Sequence, residues 1–163
     1  MISKAVQDAI NEQINKELYS SYLYLSMAAY FEDKNLAGFA KWMHIQEGEE
    51  RAHAMKLYEF LVDRGGRVML KPIAAPETDW KTPLDLFKQV ASHEAAVSAS
   101  IHALYELALK EKDYPAQVML QWFITEQVEE EKNATEIVQQ LELVEARGTA
   151  VLMLDHRLGK RGE

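Results

Sequence analysis

Gly65-Gly66-Arg67-Val68-Met69-Leu70-Lys71-Pro72-Ile73-Ala74-Ala75-Pro76-Glu77-Thr78-Asp79-Trp80-Lys81-Thr82 is the stretch whose reading decides the fold. It opens on a glycine pair, and three of the chain's four prolines lie between Pro72 and Pro83. Glycine and proline break helices, so these residues read as extended chain. At about 3.3 Å per residue an extended 18-residue segment reaches roughly 59 Å. On both sides the sequence is rich in Ala, Leu, Glu, Lys, Met and Gln, all good helix formers.

Two helices precede the stretch, about Ser3 to Asp33 and about Leu36 to Arg64. Two follow it. The third starts after Thr82, an N-cap residue with Pro83 at the first helical position and Asp85 in the first turn, and runs to about Lys112. The fourth starts after Asp113, a second N-cap residue, and runs to about Arg147 with Gly148 as its C-cap. Apolar residues recur at helical spacing: Val6, Ile10, Ile14, Leu18, Tyr22 and Leu25 in the first helix, and Phe87, Val90, Ala91, Val97, Ile101 and Leu104 in the third. A helix of about 30 residues is about 45 Å long, which the extended stretch is long enough to traverse. The expected fold is therefore all-α, a single domain over residues 1–163. Two antiparallel helix hairpins, joined by one long crossover, form a four-helix bundle over about 3–147. The apolar piece after Gly148 is expected to form a short fifth helix over about 149–158. Arg67-Val68-Met69-Leu70 is β-like but has no partner strand.

Composition narrows the function. The chain has no cysteine, which excludes disulfide frameworks, zinc fingers and iron–sulfur clusters and makes a reducing cytoplasm the default. No apolar run reaches the roughly 18–20 residues needed to span a bilayer, and Met1-Ile2-Ser3-Lys4 leads into amphipathic sequence without a signal-peptide core, so no membrane partner is expected. The net charge of -8 at pH 7 argues against a nucleic-acid partner and suits a protein that attracts cations.

The chemistry lies in a repeat. Glu50 and His53 form Glu-x-x-His, and three residues advance about 300° around a helix, so both side chains share a face. A carboxylate and an imidazole placed this way suit one metal ion. Glu17 to Glu50 spans 50 − 17 = 33 residues, and Glu94 to Gln127 spans 127 − 94 = 33. The offset between the halves is 94 − 17 = 77, and it also maps Glu49 onto Glu126 and His53 onto Glu130. Matched polar groups on two hairpins imply a pseudo-twofold bundle whose ligands converge on its axis, as in di-iron carboxylate bundles. Glu49-Glu50 or Glu129-Glu130-Glu131 alone would read as a solvated helix face, and His53 alone as a hydrogen-bonded structural histidine. Together, the burial of so many carboxylates calls for a compensating cation. The second half carries Gln127-x-x-Glu130 in place of Glu-x-x-His, which should weaken one of the two metal positions and favours metal in transit.

The chain resembles bacterial and archaeal non-haem ferritins over nearly all its length. The resemblance is carried by Glu17-Leu-Tyr-Ser-Ser-Tyr-Leu-Tyr-Leu-Ser-Met27, Glu49-Glu50-Arg51-Ala52-His53-Ala54-Met55-Lys56, Arg64-Gly65-Gly66, His93-Glu94 and Trp122-Phe-Ile-Thr-Glu126-Gln127-Val-Glu129-Glu130-Glu131. It implies that Glu17, Glu50 and His53 hold a first iron. Glu50 would bridge to a second, held also by Glu94 and Glu130 with Gln127 nearby. It further implies a third, transit iron site of Glu49, Glu126, Glu129 and Glu130. Tyr24 matches the tyrosine beside the centre and Trp122 the neighbouring tryptophan. The implied activity is a ferroxidase that oxidises Fe(II) to Fe(III) with O2 or H2O2 and deposits ferric oxyhydroxide inside a shell of twenty-four subunits. In that shell the short fifth helix lines the fourfold axes. Bacterioferritins carry Glu-x-x-His in both halves and a haem-ligating methionine just before the first histidine; position 52 here is Ala, so no haem is expected. Rubrerythrins need cysteines that this chain lacks. A di-iron oxidase acting on another substrate and a metal-free structural bundle are the two rivals.

Overall fold

The computed structural model describes residues 1–144 and 148–163. Five helices are described: α1 (Lys4–Asp33), α2 (Ala37–Asp63), α3 (Pro83–Lys110), α4 (Tyr114–Val144) and α5 (Gly148–Leu158). No strand occurs among the described residues, and no helix is long and apolar enough to cross a membrane. The bundle is all-α, with α1 paired to α2 and α3 to α4; α1 also packs along α3, and α5 lies against α2. The caps act as their residue types dictate. The Ser3 Oγ accepts from the Val6 N–H at 3.3 Å, the Thr82 Oγ1 from Asp85 at 3.1 Å, and Asp113 Oδ1 from Ala116 at 3.1 Å. The expected end of the fourth helix at Arg147 falls on residues 145–147, outside the described ones. Gly148, expected as its C-cap, is the first residue of α5; glycine is tolerated at either kind of helix boundary, so its presence marks a boundary without saying which.

The 77-residue repeat extends to the hairpin turns. Asn35 ends α1 at φ 57° and Lys112 ends α3 at φ 54°, and the two positions are 112 − 35 = 77 apart. Leu36 N–H donates to Phe31 C=O and Asp113 N–H to Ala108 C=O, each at 2.9 Å. Asn35 N–H donates to Glu32 C=O and Lys112 N–H to Leu109 C=O, each at 3.1 Å. These paired bonds form the same C-terminal capping motif twice. Arg64 then clamps Asp113 through 2.8 and 3.1 Å bonds, tying the end of α2 to the start of α4.

The crossover is extended, but its backbone pairs with side chains of α1. Arg67 N–H donates to Gln7 Oε1 at 3.0 Å, and Met69 N–H to Asn11 Oδ1 at 2.7 Å. Asn11 Nδ2 donates to Arg67 C=O at 3.0 Å, and Asn15 Nδ2 to Pro72 C=O at 3.1 Å. Residues 7, 11 and 15 are one turn apart, so they form a ladder along one side of the helix. This accounts for the β-like run at 67–70: the Arg67 N–H and C=O and the Met69 N–H are paired with side-chain amides and not with a second strand. Further along, Trp80 packs edge-on against Tyr30 at 5.4 Å. The segment thus follows α1 from Gln7 to Tyr30, about 35 Å of helix.

The core divides into two apolar clusters. One gathers Leu23, Met27, Phe31, Phe39, Trp42, Phe87, Val90 and Ile137 near α5; the other gathers Val6, Ile10, Ile14, Leu57, Leu61, Val97, Ile101 and Phe123 at the far end. Tyr22 and Leu25, apolar in the sequence pattern, are exposed at 47% and 42%. The reason is geometric. Each four-residue step overshoots a turn by about 40°, so four steps from Val6 carry Tyr22 about 160° out of the core. Leu23, Tyr24 and Met27 are buried instead.

Helix α5 seats on a glycine. A Cβ on Gly38 would lie 1.7 Å from the Asp155 carbonyl oxygen. Leu36, at the N-cap of α2, offers no side-chain bond; Asp155 supplies it from α5, its Oδ1 accepting from the Phe39 N–H at 2.9 Å. Gly38→Ala is therefore expected to push α5 off α2 and remove this cap, lowering stability by roughly 1–3 kcal/mol. Thermal unfolding followed by circular dichroism measures it; an unchanged midpoint would contradict this account of α5 docking.

Candidate metal centre

Between the two apolar clusters each of the four long helices turns a polar group inward. Glu17 follows Ile14 on α1, and Glu50 and His53 lie between Met43 and Leu57 on α2. Glu94 lies between Val90 and Val97 on α3, and Gln127 and Glu130 between Phe123 and Ala134 on α4. All six are buried, as is Tyr24. Their ligand atoms converge in three overlapping groups, each with its atoms within 4.8 Å of one another: Glu17, Glu50 and His53; Glu50, Glu94 and Glu130; and His53, Glu126 and Glu130. Glu50 belongs to the first two groups. His53 Nδ1 is 3.4 Å from Glu50 Oε2, and its Nε2 is 4.0 Å from Glu126 Oε1. Trp122 and Phe123 hold the imidazole edge-on at 5.4 and 5.9 Å.

The four residues Glu49, Glu126, Glu129 and Glu130 do not form one group in this structure. Glu126 and Glu130 meet at His53, Glu129 is exposed, and Glu49 is paired with Arg161 at 2.6 Å.

Each inner carboxylate has a neutral donor. Gln13 Nε2 donates to Glu17 Oε1 at 2.8 Å. Gln46 Nε2 donates to Glu50 Oε1 at 3.1 Å and to Glu130 Oε2 at 2.8 Å. Tyr24 donates its phenol proton to Glu94 Oε1, and Gln127 Nε2 donates to Glu94 Oε2 at 3.1 Å. Two oxygens remain without any hydrogen-bond partner among the described buried side chains: Glu17 Oε2 and Glu50 Oε2. Both point into the same cluster, where a cation would satisfy them.

Gln13 and Gln46 carry no weight in the sequence analysis, yet a signal exists. Gln13-x-x-x-Glu17 and Gln46-x-x-x-Glu50 are themselves 46 − 13 = 33 residues apart. The second hairpin lacks them, with Val90 and Phe123 at the equivalent positions. His93 is also in place beside the centre. Its Nε2 meets Ser20 Oγ at 2.8 Å, and burial pushes its pKa down, so it sits there as a neutral ring.

Burial and mutual repulsion hold protons on Glu17, Glu50 and Glu130. Glu17 is raised from 4.5 to about 8, first by desolvation and then by the neighbouring Glu50 charge. Glu130 is raised to about 7, by desolvation and then Glu94. Desolvation, followed by the charges of Glu94 and Glu130, raises Glu50 well above the carboxylate range. The Tyr24 phenol is raised as well, by burial and then Glu94, so it stays a donor.

The chain matches the family model described as Ferritin-like domain over residues 7–144. It belongs to that family, and its curated relatives are non-haem ferritins. It is 43% identical over 161 residues to the bacterial non-heme ferritin of Bacteroides fragilis (strain 638R), covering 99% of this chain and 100% of the relative. It is 34% identical over 161 residues to the bacterial non-heme ferritin of Staphylococcus aureus (strain USA300), covering 99% and 97%. Among solved structures, the open pore ferritin of the hyperthermophilic archaeon Archaeoglobus fulgidus superposes with a TM-score of 0.98 at 46% identity, covering 99% of both chains.

The raised carboxylates make a signed prediction. A group whose pKa is higher folded than unfolded contributes stability that is present below the unfolded value of 4.5 and is lost as pH rises through about 7 to 8. Metal-free protein should therefore lose thermal stability between about pH 5 and about pH 9. Glu17→Gln, which removes the group raised to about 8, should lose less. Scanning calorimetry of both metal-free proteins across that range is the check; equal losses would contradict the assignment of a buried, protonated Glu17.

Proposed function

We propose that this chain is an iron-storage ferritin subunit that oxidises Fe(II) at an intra-subunit pair of iron positions. The observation that carries the reading is the pair of orphaned oxygens, Glu17 Oε2 and Glu50 Oε2, buried in a cluster of four carboxylates and one imidazole. Leaving them unpaired costs free energy that a divalent cation removes. Hard carboxylate oxygens with one imidazole suit iron, and they favour the ferric over the ferrous state.

In this reading Glu17, Glu50 and His53 bind one ferrous ion, and Glu50, Glu94 and Glu130 bind the second, with Glu50 shared. Gln127 has no charge to offer and donates to Glu94, so it orients a ligand and leaves the second position the poorer in charge. Protons held on Glu17, Glu50 and Glu130 leave as iron arrives, so iron binding releases acid and strengthens as pH rises. Each iron gives up one electron, and the pair, with two protons taken from solvent, reduces O2 to H2O2 or H2O2 to two waters. Tyr24, buried and bonded to Glu94, holds that carboxylate in place. Glu126, in reach of both His53 and Glu130 but 30% exposed, gives Fe(III) a way outward. Ferric ions would then collect as oxyhydroxide within a shell of twenty-four copies, the assembly implied by the ferritin likeness. The exposed apolar residues Tyr22, Leu25, Met69, Leu70 and Ile73 provide surface for neighbouring subunits in such a shell.

Aerobic addition of Fe(II) in large excess tests the reading. Storage predicts far more than about two irons retained per subunit in soluble particles, measured by absorbance and particle size. A plateau at about two irons would leave only an oxidase, and no oxidation above buffer would remove both. Glu17→Ala and His53→Ala should each slow the initial phase by at least about tenfold in stopped-flow absorbance; unchanged rates would remove these residues from the site.

A further inference from the structure

Arg161 lies beyond α5, yet its guanidinium turns back onto the bundle. It stacks over the Trp42 ring at 4.5 Å. Nη1 donates to Gln46 Oε1 at 3.0 Å and to the Trp42 carbonyl at 3.4 Å, and Nη2 donates to Glu49 Oε2 at 2.6 Å. Gln46 is completely buried. Its oxygen faces Arg161, so its amide nitrogen must face inward, toward Glu50 and Glu130. The arginine is thus one side chain away from two carboxylates of the centre.

The contrast with the inner groups is sharp. Among the described residues, Glu17, Glu50, Glu94 and Glu130 make no ion pair with lysine or arginine; their partners are amides, a phenol and His53. Glu49 is next in the chain to Glu50, and its charge acts on Glu130. It already holds a cation, and that cation belongs to the protein. The bond is short and charge-assisted, and the side chain of Arg161 is 21% exposed, so the pair is only partly screened.

We propose that Arg161 is a resident counter-cation of Glu49: it keeps this outer carboxylate from metal, so that a divalent ion binds there only by displacing the guanidinium, while the same guanidinium fixes the sense of the Gln46 amide. The proposal rests on the reading of the inner carboxylates as metal ligands. It makes the outer position weak by competition, whereas the inner positions have no internal competitor. A metal that passes outward would meet a site that releases it, because Arg161 returns to Glu49.

The test uses Zn2+, which is redox-inert and accepts carboxylate and imidazole ligands. It is titrated calorimetrically into the metal-free assembled protein. The wild type is expected to bind about two ions per subunit tightly and one more at least about tenfold more weakly. Arg161→Gln should tighten the weak ion by about tenfold. Arg161→Gln combined with Glu49→Gln should lose that gain. A weak-ion affinity in Arg161→Gln within about twofold of wild type would overturn the proposal, as would a gain that survives Glu49→Gln. Absence of the tight pair in all three proteins would instead sink the inner-site reading. If Arg161→Gln does not assemble, wild-type crystals soaked in Zn2+ decide. Zinc on Glu49 with Arg161 withdrawn supports the proposal; zinc on Glu49 with the Arg161 pair intact overturns it.

Discussion

Glu17, Glu50, Glu94 and Glu130 share one dry layer of the bundle, and among the described residues none has a lysine or arginine to neutralise it. The rest of the structure is arranged around that constraint. Two apolar clusters flank the layer along the bundle, so its charges are far less screened than at the surface. The carboxylates respond in the two ways open to them. They retain protons, as the raised values of Glu17 and Glu130 record, and they take bonds from neutral donors. The neutral donors leave Glu17 Oε2 and Glu50 Oε2 without a partner. A site stabilised in full without metal would have no reason to bind one. Here the unmet demand for positive charge is what makes the layer a candidate metal centre.

The two hairpins agree in backbone and differ in chemistry. The left-handed residues Asn35 and Lys112, and the bonds around them, match position for position. The donors do not match. The first hairpin supplies Gln13 and Gln46, each one turn before its glutamate; the second has Val90 and Phe123 there and relies on Gln127 and on Tyr24 from α1. One half therefore supports its ligands locally and the other borrows support across the bundle. This difference, together with Gln127 standing where Glu50 stands in the other half, would make the two proposed metal positions unequal.

The outer rim of the centre follows a different rule. Glu49 and Glu126 are only partly exposed, at 41% and 30% of the side chain, and Glu129 is open to solvent. Charge here is cheaper, and one of these groups is met by an arginine from the end of the chain. That arginine is delivered by α5, whose position depends on the absence of a side chain at Gly38 and on the bond from Phe39 to Asp155. A helix remote from the ligands in sequence thus reaches the edge of the site.

Periodicity, capping residues and breakers are local properties. For that reason the sequence by itself determined the four long helices, the caps at Thr82 and Asp113, the long crossover and the all-α class. The 77-residue repeat likewise put Glu17, Glu50, His53, Glu94, Gln127 and Glu130 at one depth, because equal helix lengths convert equal spacing into equal height. What depends on contacts between distant segments was decided only by the tertiary structure. The core face of α1 drifts away from Tyr22 and Leu25, because a four-residue repeat runs ahead of a 3.6-residue turn. Gln7, Asn11 and Asn15 satisfy the crossover backbone, Asp155 caps a helix more than a hundred residues away, and Arg161 occupies Glu49. Each is a hydrogen bond or ion pair between residues with no fixed sequence spacing, so no periodic pattern could announce it.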